Sequence, residues 1–327
     1  MKLPIDYQWP YLQNYSIKNS SSSLIFRRDI LEQIESFFEK KYNCHALLFP
    51  SGRAGLSAIM LYQKTNRSDI VFTSKWSSKC VFDVICNYAN PSVIFGEEVS
   101  QLLIVHKWGK IYRANNSSLN QRLIIEDSVD SFIRDESGLF PNEGSFELLS
   151  LPKLVGGYCG GVILTRDRAF FDFAKSLQGK KMDLARFQSQ LKQGKKIDNA
   201  PFINWAETEI QNFSLTEEDL LMIQDQVGHW ENCQKIILQR LAQLREKVNP
   251  QDFIHDENKR LGPVLPLDTA RYSLGEIEGV MKRNFSSEPN ISKLNFKPHL
   301  IIPLHFGIDD ASFNYFVENL IQVDRGK

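Results

Sequence analysis

The sequence lacks any long apolar run and any excess of charge. No segment approaches the roughly 18 consecutive apolar residues that a membrane span requires, and the first ten residues contain no apolar stretch typical of a secretory signal. The 39 basic residues equal the 39 acidic residues, so no bulk field attracts nucleic acid or an anionic membrane. We therefore expect a cytoplasmic protein without nucleic-acid or membrane partners.

Cysteine is also scarce. The chain has five cysteines, an odd number with no Cys-x-x-Cys pair, which indicates reduced thiols rather than a disulfide framework or structural zinc. The six histidines show no metal spacing, so we predict no metal site. With 327 residues, of which 42% are apolar, the chain is long enough for roughly two domains.

Short apolar runs alternate with segments of helical spacing in the first half of the chain. The runs are 46–49, 70–73, 93–95, 102–105, 123–125 and 161–165. Strands that are apolar on both faces are typical of a parallel sheet with helices on either side. The predicted fold class is therefore α/β, with a mostly parallel central sheet.

The pattern changes in the second half. A lysine-rich segment over 180–196 is interpreted as a solvated loop, with anion binding as the alternative. Apolar residues then recur every three or four positions over 220–248, which predicts one long helix that bridges domains or subunits. Strands around 264–267 and 300–304 and a helix near 312–323 predict a small α+β domain. The predicted units are a large α/β domain, 1–210, and the bridging helix with the small domain, 211–327.

A turn of small residues follows the first predicted strand. It reads Ser51-Gly52-Arg53-Ala54, and a helical pattern begins there. Backbone N–H groups at a helix N-terminus bind phosphate, and a guanidinium adds paired donors. The alternative is that Ser51 is an ordinary helix cap.

Two further motifs carry reactive side chains. The strand over 123–125 ends in Glu126 and Asp127, at the edge where parallel sheets bind ligands; the alternative is that Asp127 caps a helix. Lys153 lies in a segment over 150–161 that contains four glycines. An amine whose pKa is lowered by partial burial can attack a carbonyl, whereas the alternative is a plain surface lysine.

The order and spacing of these motifs resemble pyridoxal phosphate (PLP) enzymes of the aspartate aminotransferase fold, fold type I, and in particular the DegT-type sugar aminotransferases. The resemblance spans nearly the whole chain. It implies a PLP-dependent aminotransferase that moves an amino group from an amino acid donor to a keto sugar carried on a nucleotide. It also implies that Lys153 holds the cofactor as a Schiff base and that the protein is a homodimer with shared active sites.

The resemblance assigns further cofactor contacts. Gly52, Arg53 and Ala54 occupy the phosphate turn, where Arg53 replaces a threonine. Asp127 pairs with the pyridine nitrogen, which keeps the cofactor an effective electron sink. Asn212, just before the long helix, enters the phosphate site of the neighbouring subunit.

Several positions depart from the family pattern. Leu148 replaces a serine, and Ser150 is a candidate for the lost phosphate contact. Trp76 is the candidate for the aromatic residue that stacks on the pyridine ring, although an ungapped alignment places Ser78 there. Asp130 replaces a histidine or glutamine near the phenolic oxygen, where a second acid disfavours a phenolate.

These departures motivate two alternatives to an aminotransferase. The first is a non-catalytic homologue that serves as a binding or partner subunit. The second is another PLP-dependent reaction, such as that of a lyase, which would use the same residues.

Overall fold

Strands and helices alternate in the first half of the protein. The computed structural model describes residues 8–10, 27–75, 77–114, 122–157, 159–178, 212–275 and 280–323. The elements up to residue 178 are α1 (Arg27–Tyr42), β1 (His45–Phe49), α2 (Gly52–Tyr62), β2 (Ile70–Thr73), α3 (Lys79–Tyr88), β3 (Asn90–Ser92), β4 (Gln101–Val105), β5 (Leu123–Asp127), β6 (Phe132–Ile133), β7 (Phe146–Ser150), α4 (Leu151–Val155), β8 (Gly161–Thr165) and α5 (Arg168–Gln178).

Seven of these strands form the central sheet, in the order β1-β8-β7-β5-β4-β2-β3. The neighbours from β7 to β3 pair in parallel. Strand β8 runs antiparallel to both of its neighbours, β1 and β7. The sheet is therefore mixed but mostly parallel, which confirms the predicted α/β fold.

Both faces of the sheet are buried. Alternate residues of one strand point to opposite faces, so Leu48 packs in one apolar cluster and Leu47 in another. Helices α2, α3 and α5 contribute to the cluster that contains Leu47, whereas α1 contributes to the cluster that contains Leu48. This two-sided burial explains why the strands read as continuous apolar runs in the sequence.

The second half of the described chain forms helices followed by short strands. Its elements are α6 (Glu217–Gly228), α7 (Trp230–Leu244), β9 (Arg260–Leu261), β10 (Val264–Asp268), β11 (Tyr272–Leu274), β12 (Lys282–Phe285), β13 (Lys297–Pro303), α8 (Asp310–Asn319) and β14 (Leu320–Gln322). Strands β10, β13 and β12 form a separate antiparallel sheet. Within the ranges described above, no helix is both long and apolar enough to cross a membrane.

The prediction of one long helix over 220–248 was wrong. The helix is interrupted at His229, which caps α6 with a non-helical backbone and leads directly into α7. Gly228, at the end of α6, has a poor intrinsic preference for helix. Just beyond this break, Trp230 is fully buried against Phe38 and Phe132, with ring centroids 5.3 and 4.8 Å away.

Two other boundaries differ from the sequence prediction. The strand expected over 93–95 lies earlier, at Asn90–Ser92, and Ile94 is 73% exposed. Val93 and Ile94 are thus on the surface beyond an edge strand, whereas Phe95 packs against the core. The last predicted helix ends at Asn319, and the chain continues as β14, which pairs with β11.

Candidate active site

The order of the strands brings distant motifs together. Strand β8 lies between β1 and β7, so Gly161 is paired with Phe49 on one side and Ser150 on the other. A Cβ atom at Gly161 would lie 2.3 Å from the backbone nitrogen of Gly52. Glycine therefore allows the turn before α2 and the segment before Lys153 to approach at the same edge of the sheet.

A cavity of about 600 Å³ opens at this edge, a size within the usual range for small-molecule sites. Its walls include residues from all three motifs that the sequence analysis identified: Ser51, Gly52, Arg53, Asp127, Ser150 and Lys153. The topology thus confirms that the three motifs meet in space.

The first wall of the cavity is the N-terminus of α2. Ser51 caps this helix, and its Oγ accepts a hydrogen bond of 3.2 Å from the Ala54 backbone N–H. Ala54 is fully buried and does not line the cavity. Gly52 and Arg53, in the first turn, do line it. The capping interpretation of Ser51 is therefore correct, and the first turn of the same helix presents its positive end to the cavity.

The two acids at the end of β5 point in opposite directions. Asp127 lines the cavity and is 3% exposed. No helix follows it, so the capping alternative for Asp127 was wrong; its Oδ1 instead accepts a 3.2 Å hydrogen bond from Val129 N–H in a turn. Burial raises the pKa of Asp127 to about 6. Glu126 lies on the other side, hydrogen-bonded to His106 at 2.8 Å.

Lys153 is the amine of the site. It lies in the short helix α4, lines the cavity, and has a side chain that is 25% exposed. Its Nζ is 3.1 Å from Asp130 Oδ1 and 4.8 Å from the centroid of the Trp9 ring. Lys153 is therefore a cavity residue, not a solvated surface lysine.

The expected direction of the Lys153 pKa was wrong for the cofactor-free chain. Burial lowers the pKa of this amine, as the sequence argument assumed, but the negative charges of Asp130 and Asp127 raise it, and the net result is a raised pKa. The sequence argument considered burial alone and did not place two carboxylates beside the amine.

Asp130 also differs from its expectation. It is 1% exposed, and Lys107 Nζ lies 2.6 Å from its Oδ2 while Lys153 approaches its Oδ1. Burial raises the pKa of Asp130, but the two lysines outweigh that effect and hold it well below its usual range. Its negative charge is thus compensated by two cations that the sequence argument did not include.

The remaining candidates differ in where they lie relative to the cavity. Ser150 precedes α4, makes no capping hydrogen bond with its side chain, and lines the cavity, as do Leu148 and Ser78. Trp76 lies outside the described residues. Asn212 is not on the cavity wall, and its Oδ1 accepts a 3.1 Å hydrogen bond from Ser214 N–H.

Sequence reasoning missed Trp9 and Lys107. Trp9 lines the cavity and donates a 2.9 Å hydrogen bond from Nε1 to Asp130; its surroundings in the sequence carry no periodic signal. Lys107 follows β4, which neighbours β5 in the sheet. Its position just beyond a strand end was the signal that could have identified it. In the described ranges, no group of three or more histidine, cysteine or acidic side chains is arranged to hold a metal ion.

Comparison with protein families identifies the class of the protein. The family model described as "Putative PLP-dependent aminotransferase" matches residues 34–324, which is most of the chain. The chain belongs to this family. It is a PLP-dependent aminotransferase, as the resemblance implied, and the match gives no support to a non-catalytic subunit or a lyase.

Solved structures with the same fold include sugar aminotransferases. A putative sugar aminotransferase from Streptococcus pneumoniae in its PMP form has a TM-score of 0.60 and 11% identity, covering 95% of this chain and 92% of its own. DesI, solved with its TDP-sugar product, has a TM-score of 0.58 and 15% identity over 88% and 83%. A DegT/DnrJ/EryC1/StrS aminotransferase from Brucella abortus has a TM-score of 0.58 and 12% identity over 88% and 88%. Comparison with curated protein sequences gives no match.

The residues of the cavity fit PLP. This cofactor carries an anionic phosphate, a ring nitrogen that can be protonated, and an aldehyde. The cavity presents a helix N-terminus with Arg53, a buried carboxylate at Asp127 and a primary amine at Lys153. The Asp127 carboxylate is buried and accepts one hydrogen bond, from Val129 N–H, so it has capacity left to pair with a protonated ring nitrogen.

Proposed function

We propose that this aminotransferase moves an amino group from an amino acid donor to a keto sugar carried on a nucleotide, with Lys153 holding PLP as a Schiff base. The observation that carries the proposal is the convergence of Lys153, Asp127 and the first turn of α2 on one cavity. Each of the three matches a different chemical group of the cofactor.

Lys153 has two roles in this proposal. Its amine is the nucleophile that attaches the cofactor. After an amino donor displaces it, the same amine accepts and returns the proton of the substrate carbon as general base and acid. The nearby Asp130 carboxylate, 3.1 Å from Nζ, orients the amine for this task. When bound, PLP supplies the electron sink that makes that proton acidic.

The other site residues hold the cofactor. Asp127 pairs with the ring nitrogen and keeps it protonated. Gly52 and Arg53 hold the phosphate at the positive end of α2, and the hydroxyl of Ser150 adds a donor beside them. Apolar residues such as Leu56 and Val81 line the rest of the wall and keep water away from the reacting atoms.

The nucleotide-linked keto sugar is the most specific part of the proposal. It is supported by the fold shared with sugar aminotransferases, one of which was solved with a TDP-sugar. A cavity of about 600 Å³ also leaves room for a sugar beside the cofactor, since small-molecule sites span roughly 300–1,000 Å³.

The assembly and location of the protein are part of the same proposal. We expect a homodimer in which Asn212 contributes to the partner's phosphate site, which agrees with its position away from the cavity of its own chain. We also expect a cytoplasmic location, where free thiols such as these five cysteines stay reduced. We also retain the division into a large domain, 1–210, and a second unit, 211–327.

The first experiment tests attachment of the cofactor. Purified protein is mixed with PLP, its visible absorbance is recorded, and the complex is reduced with borohydride and mapped by mass spectrometry. We expect a visible band and a pyridoxyl group on Lys153. Lys153→Ala, folded by circular dichroism, should show neither. A modified lysine elsewhere would contradict the proposed role.

A second experiment tests the substrate class. The loaded enzyme is given glutamate with either a nucleotide-linked keto sugar or the corresponding free keto sugar, and the amino sugar is detected by mass spectrometry. Product from the nucleotide-linked sugar alone is the expected result. Product only from simple keto acids would leave the aminotransferase assignment intact and overturn the substrate proposal.

A further inference from the structure

Two lysines share one buried carboxylate beside the cavity. Oδ1 of Asp130 lies 3.1 Å from Lys153 Nζ and accepts a 2.9 Å hydrogen bond from Trp9 Nε1. Oδ2 lies 2.6 Å from Lys107 Nζ. Because each lysine uses a different oxygen, the two amines bind the carboxylate at the same time.

The backbone holds Lys107 in this position. Gly109 N–H, two residues on, donates a 2.9 Å hydrogen bond to Ser131 Oγ in the turn that carries Asp130. Between them Trp108 has φ = +51°, a left-handed conformation that a bulky residue adopts only when its surroundings enforce it. The turn after β4 is thus tied to the turn after β5, which sets the Lys107 amine against Asp130.

Other charged and titratable groups surround the Lys153 amine. Asp127 and Arg53 line the same cavity, as does the Cys80 thiol from the first turn of α3. The Trp9 ring covers the amine at 4.8 Å. Asp130 is the carboxylate in direct contact with it. Without Lys107, the Lys153 ammonium would be the counterion in contact with Asp130, and releasing its proton would leave that buried carboxylate without a contacting cation.

We propose that Lys107 is a positioning residue for Lys153. Because Lys107 neutralises Asp130 by itself, the carboxylate can orient the Lys153 amine even when that amine is uncharged. When Lys153 gives up its proton, Lys107 remains as the counterion. The inference rests on the role proposed above for Lys153, but it concerns the amine itself and can be measured without cofactor.

The test is competitive labelling of the cofactor-free protein. Trace acetic anhydride is added across a pH series, and acetylation of Lys153 is measured by mass spectrometry relative to exposed Lys235 on α7. Lys107→Met should move the midpoint of Lys153 labelling up by about one pH unit, which is about a tenfold loss of labelling below the midpoint. Lys107→Arg, which keeps the cation, should restore wild-type labelling.

A double-variant comparison separates action through Asp130 from simple repulsion between the lysines. Asp130→Asn alone should lower the midpoint. In that background Lys107→Met should shift it by less than about a third of its shift in the wild type. An equal shift in both backgrounds, or no shift in either, would overturn the proposal. If Lys107→Met does not fold by circular dichroism, Lys107→Gln takes its place in the same comparison.

This result and the proposed function can fail separately. If borohydride reduction places the cofactor on another lysine, the role of Lys153 fails, while the labelling still reports whether Lys107 controls its amine. If the labelling midpoint does not move, the positioning role of Lys107 fails, while the mapped Schiff base stands.

Discussion

Two clusters of polar and charged side chains, each built around two acids, lie on opposite sides of β5 and its neighbouring strands. The inner cluster faces away from the cavity and consists of Glu126, Glu147, Ser128, His106 and Arg260. The cavity cluster consists of Asp127, Asp130, Lys153 and Lys107. Glu126 and Asp127 are adjacent in β5, so strand alternation alone assigns them to different clusters.

Asp127 in the cavity cluster is less fully bonded than the acids of the inner cluster, whereas Asp130 contacts Trp9, Lys107 and Lys153. Both oxygens of Glu126 accept hydrogen bonds, from His106 and from Asn142. Glu147 accepts hydrogen bonds from Arg260, Ser128 and Phe140 N–H. Among the described contacts, the Asp127 carboxylate receives one hydrogen bond, from Val129. The comparison teaches that Glu126 and Glu147, whose oxygens are bonded within the protein, maintain the fold, whereas Asp127 has capacity left to bind a ligand.

The largest expected effect is at the cavity amine. Lys153→Ala should reduce turnover by at least about 10³-fold, because it removes both the nucleophile and the proton carrier. Steady-state assays measure this loss, and urea denaturation checks that the variant is folded. The control is Lys235→Ala at an exposed position of α7, which should keep full activity; full activity of Lys153→Ala would contradict the mechanism.

Removing Arg260, the cation of the inner cluster, should lower the free energy of unfolding rather than turnover. Arg260→Met leaves Glu147 buried and uncompensated and should lower the free energy of unfolding by about 3–5 kcal/mol. The double variant with Glu147→Leu should recover most of that loss. The matched control is Arg245→Met, whose ion pair with Glu257 is partly exposed and should cost under about 1 kcal/mol. Equal losses for the two arginines would mean that the inner pair does not maintain the fold.

Neutralising Asp127 should lower turnover, whereas neutralising its neighbour Glu126 should lower stability. Asp127→Asn should lower turnover by about 10²-fold, because an amide cannot keep the ring nitrogen protonated, and it should leave the Lys153 linkage intact. Glu126→Gln should mainly lower the unfolding free energy, because the acid accepts hydrogen bonds from His106 and Asn142. Turnover and urea midpoints, measured for both variants, test this division; a reversed pattern would contradict it.

The smallest expected effect is a pH dependence of stability. The pKa of Asp127 is about 6 in the folded chain and 3.8 ordinarily, so the folded state binds this proton more tightly. The unfolding free energy of the cofactor-free protein should therefore fall by about 1–2 kcal/mol, through this residue, as pH rises from about 4 to about 6. The difference between wild type and Asp127→Asn across this range isolates the effect. A difference independent of pH would show that Asp127 titrates normally.

The sequence predicted most of the alternation of strands and helices because buried strands are largely apolar, but it missed β7, whose apolar run is interrupted by Glu147. It also located Lys153, Asp127 and the turn at Gly52, since each lies at the end of a strand or beside glycines. Patterns of this kind depend on neighbours within a few residues. The break at His229 was missed because apolar spacing continues through it, and only the backbone conformation of His229 shows where one helix ends and the next begins.

The sequence did not predict which charged side chains of the site contact one another. Lys107 and Asp130 are 23 residues apart, and their contact follows from the pairing of β4 with β5. Trp9 reaches the same carboxylate from 121 residues away. A pKa depends on every charge within several ångströms, so the expectation for Lys153 from burial alone had the wrong sign.

The sequence by itself determined the α/β class through local patterns of polarity, and its resemblance to known aminotransferases indicated the family and the candidate cavity residues. The tertiary structure decided which acid faces the cavity, which lysines share Asp130 and how each charge is compensated. The physical reason is that hydrophobic periodicity is a property of one segment, whereas an electrostatic environment is formed by all the segments that the fold brings together.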